Sequence, residues 1–467
     1  MDTRVKARRD NLEISEDLIR RFDSLGPRYT SYPTADRFHV GFSADSYIRY
    51  LQERNSDAQR PPLSIYIHVP FCASLCYYCA CNKVITKDRS KSAIYLQYLE
   101  KELALVRSHL SVSETISQLH LGGGTPTFLS HDEMRQLMAM LRANFSFAAD
   151  AEVSIEIDPR TVTTEYLQLL ASLGFNRTSL GVQDFDEQVQ QAVHRIQPYE
   201  MVAKCIEDSR AEGFGSINFD LIYGLPKQNL ESFSRTLDHV IELAPARIAL
   251  YNYAHLPTRF KPQRRINEAD LPSAEQRLQI FLMSIERLLD AGYVYIGLDH
   301  FAKPEDSLAM AMQDKSLHRN FQGYTTRADC DLIALGLSAI SKLGASYVQN
   351  VRTLDEYYAA LDDGRLPVEK GFDLNNDDLM RREIIMELMC SNTVDFKSIE
   401  QKYGIEFKSY FAEELSRLDF YAKEALLAID ENSISVVTKG RMFVRAFAMV
   451  FDRYLMQNSG AKYSKLI

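Results

Sequence analysis

A chain of 467 residues with 46% apolar and 10% aromatic content can bury a large core, and its length suggests two or three domains rather than a disordered polymer. With 63 Asp and Glu against 54 Lys and Arg it is acidic, which argues against a nucleic acid partner and means that any anionic ligand must find a local basic pocket. The charged amino terminus has no apolar stretch of the secretory kind, and no run approaches the ~20 apolar residues of a membrane span, so a cytoplasmic protein with no membrane partner is expected.

In chain order, Gly26-Pro-Arg-Tyr-Thr-Ser-Tyr-Pro-Thr34 is too rich in Pro and hydroxyl residues for a helix and predicts an extended arm within an amino-terminal segment, 1–60. From about residue 64, β-branched or aromatic runs alternate with helical stretches. Strands are predicted at 64–69, 118–122, 152–157, 177–182, 217–222, 247–253 and 294–298, with apolar-striped helices such as 93–110 and 274–289 between them. This alternation predicts an α/β fold, a full or partial barrel over 61–370. After about 371 the pattern becomes mostly helical. A hairpin at 425–438 is followed by a helix carrying Met442, Phe443, Ala446, Phe447, Val450 and Tyr454 on one face, which gives a winged-helix-like carboxyl-terminal domain. Asp430, Glu431 and Asp452 leave it no basic stripe, so packing on the barrel is expected rather than DNA binding.

In such barrels ligands meet the loops at the carboxyl ends of the strands. Those ends read, in order, as a cysteine loop, Gly122-Gly-Gly-Thr-Pro126, Glu156-Ile-Asp158, Gln183-Asp184, Tyr223-Gly-Leu-Pro226, Tyr253-Ala-His255 and Asp299-His300. The cysteine loop sets Cys72, Cys76 and Cys79 at CxxxCxxC spacing, with Cys81 two residues on. Thiolates at this density select zinc, copper(I) or an iron–sulfur cluster. A closed zinc site using Cys81 as fourth ligand is one reading. The other is a four-iron cluster on three cysteines, which leaves one iron open for chemistry. Cys205, Cys330 and Cys390 stand apart and suit small buried residues, and His68, His255, His300 and His318 suit hydrogen-bonded structural roles.

The CxxxCxxC loop, with aromatic Tyr78 before the third cysteine, and the glycine motif at 122–124 resemble the radical S-adenosylmethionine superfamily. Within it the chain is similar to the oxygen-independent coproporphyrinogen III oxidases (dehydrogenases) of haem biosynthesis. That likeness runs through Gly26–Thr34, Tyr66-Ile-His-Val-Pro-Phe-Cys72, Gly181-Val-Gln-Asp-Phe185, Asp220-Leu-Ile-Tyr-Gly-Leu-Pro226, Asn252-Tyr-Ala-His-Leu-Pro257 and His318-Arg-Asn-Phe-Gln-Gly-Tyr324. Tyr78 stands where Phe is usual and Ala80 where Gly is usual.

The resemblance implies a partial (β/α)6 barrel of the radical SAM type. It would bind a [4Fe-4S] cluster on Cys72, Cys76 and Cys79 and two S-adenosylmethionine molecules. Tyr66, Tyr78, Gly123, Glu156 and Ile340 match contacts to the first molecule; Gly124, Thr125, Gln183, Arg195, Asp220 and Ala254 match contacts to the second. Cys81 matches a catalytic cysteine that does not ligate the cluster, and Tyr66 is also placed among the catalytic residues. The implied reaction converts two propionates of coproporphyrinogen III to vinyl groups by way of a 5′-deoxyadenosyl radical, giving protoporphyrinogen IX. It would be fed by an electron donor such as a flavodoxin or ferredoxin, in a monomeric protein. The four substrate carboxylates need local arginines, for which Arg28 and then Arg160 are candidates. A related haem-binding chaperone is the alternative, but such relatives lack the arm and Cys81 and carry a Trp motif, whereas this chain contains no Trp.

Overall fold

The computed structural model describes residues 16–22, 25–56, 60–110, 114–327 and 330–455, so the charged stretch 1–15 lies outside the described residues. The chain divides into two compact units. One is Phe38–Phe281 with Asp329–Asp373; the other holds the described residues of Met1–Arg37, Leu282–Ala328 and Leu374–Ile467.

In the first unit, β1 (Leu63–Val69), β2 (Thr115–Gly123), β3 (Ser146–Ile157), β4 (Arg177–Gln183), β5 (Ser216–Tyr223) and β6 (Arg247–Asn252) lie side by side in sequence order, all parallel. Helices return the chain between them: α1 (Ser90–Ser108), α2 (His131–Asn144), α3 (Thr164–Ser172), α4 (Glu187–Ala192) with α5 (Tyr199–Ala211), and α6 (Leu230–Leu243). In α1, Leu96, Leu99, Leu103 and Val106 fall at helical spacing and are buried. Reciprocal capping boxes start α2, between Ser130 and Glu133, and α6, between Asn229 and Ser232. The second neighbour of β1 is β7 (Asp331–Leu335), also parallel to it, so the row of parallel strands runs on past β1 instead of closing onto β6 and the barrel is incomplete. β8 (Ile340–Leu343), β9 (Ser346–Asn350) and β10 (Val368–Asp373) extend that edge as an antiparallel meander.

Parallel strands covered on both sides usually read as unbroken apolar runs. These alternate instead. Ile65, Ile67, Leu119, Leu121, Val153, Ile155, Leu180, Val182, Phe219 and Leu221 form one fully buried face. On the opposite parity the register aligns Tyr66 with His120, His120 with Ser154, Glu156 with Ser179, Ser179 with Asn218, and Gly181 with Asp220. One face of the sheet is therefore core. The other is a half-buried polar wall across five strands.

The second unit corrects three expectations. The strand expected at 294–298 belongs here as Val294–Gly297 and pairs antiparallel with His300–Ala302, so it is a hairpin arm rather than a seventh βα strand. The arm is irregular rather than extended: Tyr29 has a positive φ of 45° and the Tyr32–Pro33 bond is cis. It is fixed by buried Arg445, whose guanidinium donates to the Pro27 and Gly26 carbonyls, and by the Tyr29 hydroxyl on Asp452 at 2.9 Å. The final helix is short, Val444–Val450 after a 3-10 turn at Thr438–Phe443, and Tyr454 lies beyond it. The remainder is winged-helix-like: helices Asn376–Ser391, Phe396–Tyr403 and Ala412–Lys423 with a three-stranded antiparallel sheet of Thr393–Asp395, Leu427–Ile429 and Ser433–Val436.

Candidate active site

The cysteine loop leaves the end of β1 and is pinned at its base by a short parallel pairing of Phe71–Cys72 with Val84–Ile85. Each cysteine has its own electrostatic setting. Cys72 accepts the Thr125 hydroxyl at 3.4 Å, although burial pushes its thiol up to about 11. The Cys76 sulfur is approached at 3.6 Å by two guanidiniums, Arg160 and Arg195. The Cys81 thiol donates to Cys79 and, with help from Lys83, brings Cys79 down to about 6 against the effect of burial; that hydrogen bond and the Cys79 charge drive Cys81 well up. Cys79 is thus held towards the thiolate and Cys76 faces two cationic groups, whereas Cys72 gains only the Thr125 hydroxyl against its burial. Cys205 and Cys390 are buried as expected, and Cys330 is only half-buried.

Beside the loop, β2 ends in three glycines, each facing a different group. A side chain on Gly122 would come within 2.8 Å of the Glu156 carboxylate, one on Gly123 within 2.7 Å of the His68 ring, and one on Gly124 within 2.5 Å of the Pro70 carbonyl. Gly123 also has a φ of +116°, which other residues rarely adopt. Its amide donates to Glu156 at 3.0 Å, and the Gly124 amide donates to the Val69 carbonyl at 2.8 Å, locking the turn to the root of the cysteine loop.

Along the polar wall, Tyr66 stacks on His120 with centroids 5.9 Å apart, and its hydroxyl meets His68 Nδ1 at 3.2 Å. His68 Nε2 faces the Asn82 carbonyl at 3.0 Å, so that nitrogen carries the proton and Nδ1 accepts from Tyr66. Burial would raise the Glu156 carboxyl, but His120, the Gly123 amide and His68 hold it below its ordinary range. Asp220 accepts from Ser179 and Asn218, both at 2.9 Å, yet burial and the neighbouring Glu156 charge push it up to about 6. Two carboxylates on one concave wall suit a cationic ligand. His120 escaped the sequence reading; a single His in a strand shows its direction only once the pairing with Tyr66 is known.

Arg195 and Asp158 close the next corner. Buried Asp158 accepts from Arg195 at 3.1 Å and from Arg160 at 2.6 Å, and burial is overcome by these guanidiniums, which hold its carboxyl low. Arg195 also donates to the Gly181 carbonyl at 2.6 Å, while its buried Nε has no partner. Gln183, at the end of β4 with a φ of 67°, would stand 2.9 Å from a side chain on Gly181. Arg160 is therefore committed to Asp158 and Cys76 rather than offered to a substrate.

Tyr78 packs with Tyr77 against Val193, Leu225 and Tyr253. Buried Gln263 donates from Nε2 to the carbonyls of Tyr78 and Ala254, both at 3.1 Å, so one amide joins the cysteine loop to the rim after β6. Sequence reasoning missed Gln263 as well. Ile340 is half-buried at the start of β8, beyond the turn that follows β7. Arg28 lies in the other unit, where its guanidinium pairs with Asp299 and its carbonyl accepts from Arg319 at 3.4 Å. Arg445 shares this corner: burial first, and the Arg28 charge next, bring it down to about 10.

These residues fit the groups they are expected to hold: charge-compensated thiolates for an iron–sulfur cluster, and a glycine turn beside two carboxylates, with an unpartnered Arg195 Nε, for a small zwitterion of net positive charge. The incomplete parallel barrel with its three-thiolate loop defines a radical SAM enzyme. Residues 66–240 match the Radical SAM superfamily model and 374–443 match the HemN C-terminal domain. The chain belongs to the oxygen-independent coproporphyrinogen III oxidase family. It is 50% identical over 460 residues to the enzyme of that name from Pseudomonas aeruginosa, covering 98% of this chain and all of the relative, and 46% identical over 444 residues to the Escherichia coli one, covering 95% and 96%. The solved Escherichia coli coproporphyrinogen III oxidase (HemN), described as a radical SAM enzyme, superposes with a TM-score of 0.90 at 45% identity, covering 95% of this chain and all of that one.

Proposed function

We propose that this chain carries out the anaerobic oxidative decarboxylation of two propionates of coproporphyrinogen III to vinyl groups, giving protoporphyrinogen IX. The observation that carries the reading is the three-thiolate loop set at the end of a polar, carboxylate-bearing barrel wall, in a chain matching this family along nearly its whole length. When bound, the cluster would supply one electron and S-adenosylmethionine a radical able to take a hydrogen atom from the propionate β-carbon, with a one-electron acceptor needed to take up the electron left when carbon dioxide departs.

The chain's own residues bind, orient and shield. Cys72, Cys76 and Cys79 hold the cluster, and Cys81, two residues beyond Cys79, acts beside it rather than as a ligand. Tyr66, Tyr78, Gly123, Glu156 and Ile340 receive a first S-adenosylmethionine; Gly124, Thr125, Gln183, Arg195, Asp220 and Ala254 receive a second. The negative wall of Glu156 and Asp220 attracts a sulfonium and an ammonium group, and Arg195 Nε is free to meet a carboxylate. Arg28 meets a propionate of the substrate, held in place by Asp299. A flavodoxin or ferredoxin supplies electrons to a monomeric, cytoplasmic enzyme; among the described residues no helix is long and apolar enough to cross a membrane.

Anaerobic incubation with coproporphyrinogen III, dithionite and S-adenosylmethionine, followed by porphyrin analysis, tests the reading. Protoporphyrin is expected after oxidation of the product. Unchanged coproporphyrin from protein that retains its iron would overturn it.

A further inference from the structure

On a chain of net charge −9, residues 259–265 carry four cations in seven positions: Arg259, Lys261, Arg264 and Arg265. All four are exposed, and none is in a salt bridge among the described residues, whereas nearby Lys227 is bonded to Asp270. Some exposed cations on this unit pair with acidic neighbours, as Arg235 does with Glu231 and Lys204 with Asp208; here four within seven positions do not. A run left without them is a local positive field on an acidic protein.

The segment is not loosely attached. Lys261–Arg265 is a 3-10 turn whose middle residue, Gln263, is 1% exposed, points inward and donates to the carbonyl of Tyr78, the residue before Cys79. The Arg265 guanidinium lies 5.4 Å from the centre of the Tyr77 ring. Tyr77 in turn stacks on His194, centroids 5.1 Å apart, and His194 Nδ1 donates to the Leu75 carbonyl at 2.8 Å. Leu75 and Tyr77 are the two neighbours of Cys76. Beyond His194 and Arg195 on the same chain segment, Ile196 is 55% exposed. The outer side of the cysteine loop thus presents aromatic and apolar groups with unpaired cations beside them. Small, weak redox encounters use such surfaces, with charge guiding the approach and setting the on-rate.

We propose that this basic turn and the Tyr77–His194 face are the docking surface for a small acidic one-electron carrier protein. The proposal rests on the radical SAM reading above and names the place where its electron arrives. In each encounter the carrier's flavin or iron–sulfur group is oxidised by one electron and the centre held by Cys72, Cys76 and Cys79 is reduced by one, with no bond made or broken between the proteins. The competing occupant is the substrate itself, whose carboxylates would also be drawn to these cations.

The test uses the full-length, cluster-loaded enzyme and two double variants, Arg259→Glu with Lys261→Glu and Arg264→Glu with Arg265→Glu. Formation of 5′-deoxyadenosine in the presence of coproporphyrinogen III is measured with dithionite and, separately, with enzymatically reduced flavodoxin at low and high salt. With dithionite the variants should stay within twofold of the parent. With flavodoxin at low salt they should fall at least tenfold, and the parent's flavodoxin-driven rate should drop with salt while the variants' rates stay flat. An unchanged flavodoxin-driven rate in both variants overturns the proposal. Equal loss with both reductants also overturns it and assigns the cations to the substrate. If the parent makes no 5′-deoxyadenosine even with dithionite, the radical reading itself fails; calorimetric titration of the parent and variants with flavodoxin then still decides docking, supported by a tenfold weaker variant and overturned by equal affinities.

Discussion

A guanidinium nitrogen of Arg195 lies 3.6 Å from the sulfur of Cys76, and Arg160 reaches the same sulfur at the same distance, with Asp158 holding both arginines. Positive charge beside a cluster thiolate favours the reduced, more negative state. Arg160→Gln should therefore lower the cluster's midpoint potential by tens of millivolts while leaving S-adenosylmethionine binding near normal, where about 59 mV is a tenfold change for a one-electron couple. Arg195→Gln should lower the potential and weaken S-adenosylmethionine as well. Redox titration followed by electron paramagnetic resonance, with calorimetry for the ligand, checks both. Potentials equal to the parent in both variants would refute the tuning role.

The cysteines divide three to one. Ala at Cys72, Cys76 or Cys79 should give colourless protein with little iron or sulfide, whereas Cys81→Ser should stay brown and lose most porphyrin formation. Iron and sulfide assays on anaerobic preparations decide this. Loss of iron in Cys81→Ser would make Cys81 a ligand.

Gly123→Ala places a Cβ 2.7 Å from the His68 ring at a φ of +116°, and His68 has little room, being tied to Asn82 and Tyr66. Strain of roughly 1–3 kcal/mol is expected. Thermal melts should show a fall in Tm, and S-adenosylmethionine affinity should drop more than in a Gly213→Ala control, where a Cβ meets no atom within 4 Å.

Asp220 makes stability fall with rising pH. Its folded pKa, about 6, is raised above an ordinary value of 3.8, so its contribution is fully present below the lower figure and is lost as pH passes through the upper one. Asp220→Asn should thus be more stable than the parent above pH 6, by up to about 3 kcal/mol, and the gap should close towards pH 4. Denaturant melts across that range measure it. The same variant should bind S-adenosylmethionine more weakly, since a counter-charge is gone.

Arg28 and Asp299 form a pair in which each depends on the other. Arg28→Ala should keep iron and 5′-deoxyadenosine formation yet lose vinyl formation, with a stability cost of about 1–3 kcal/mol from the orphaned carboxylate. Adding Asp299→Asn should restore the stability but not the vinyl product. Full recovery of vinyl formation in the double variant would leave Arg28 with a purely structural role.

Local pattern made the six parallel strands and the cysteine loop readable, because strand period, helical stripe and thiol spacing are all encoded within a few residues of one another. What stayed hidden depends on distant pairings. The role of His120 requires the register between β1 and β2, and Arg445 meets Pro27 across 418 positions. The strands between Asp331 and Asp373 are short and broken by Gly336 and Gly344, so neither period shows. Gln263 looked like any polar residue of a basic stretch, and only its burial marks it as a clasp.

The wall formed by Tyr66, His120, Glu156 and Asp220 turns half-buried polar side chains, not apolar ones, to one side of the sheet. In most α/β proteins both sides of a parallel sheet contribute to holding the chain folded; here one side is given over to guests. Substrate and cofactors are then structural materials as well as reactants, each adding to stability as the logarithm of its concentration over its dissociation constant, about 2.7 kcal/mol at a hundredfold excess. A cell short of S-adenosylmethionine or iron would accordingly hold less of this enzyme as well as a slower one, because the unladen protein is the form that unfolds first.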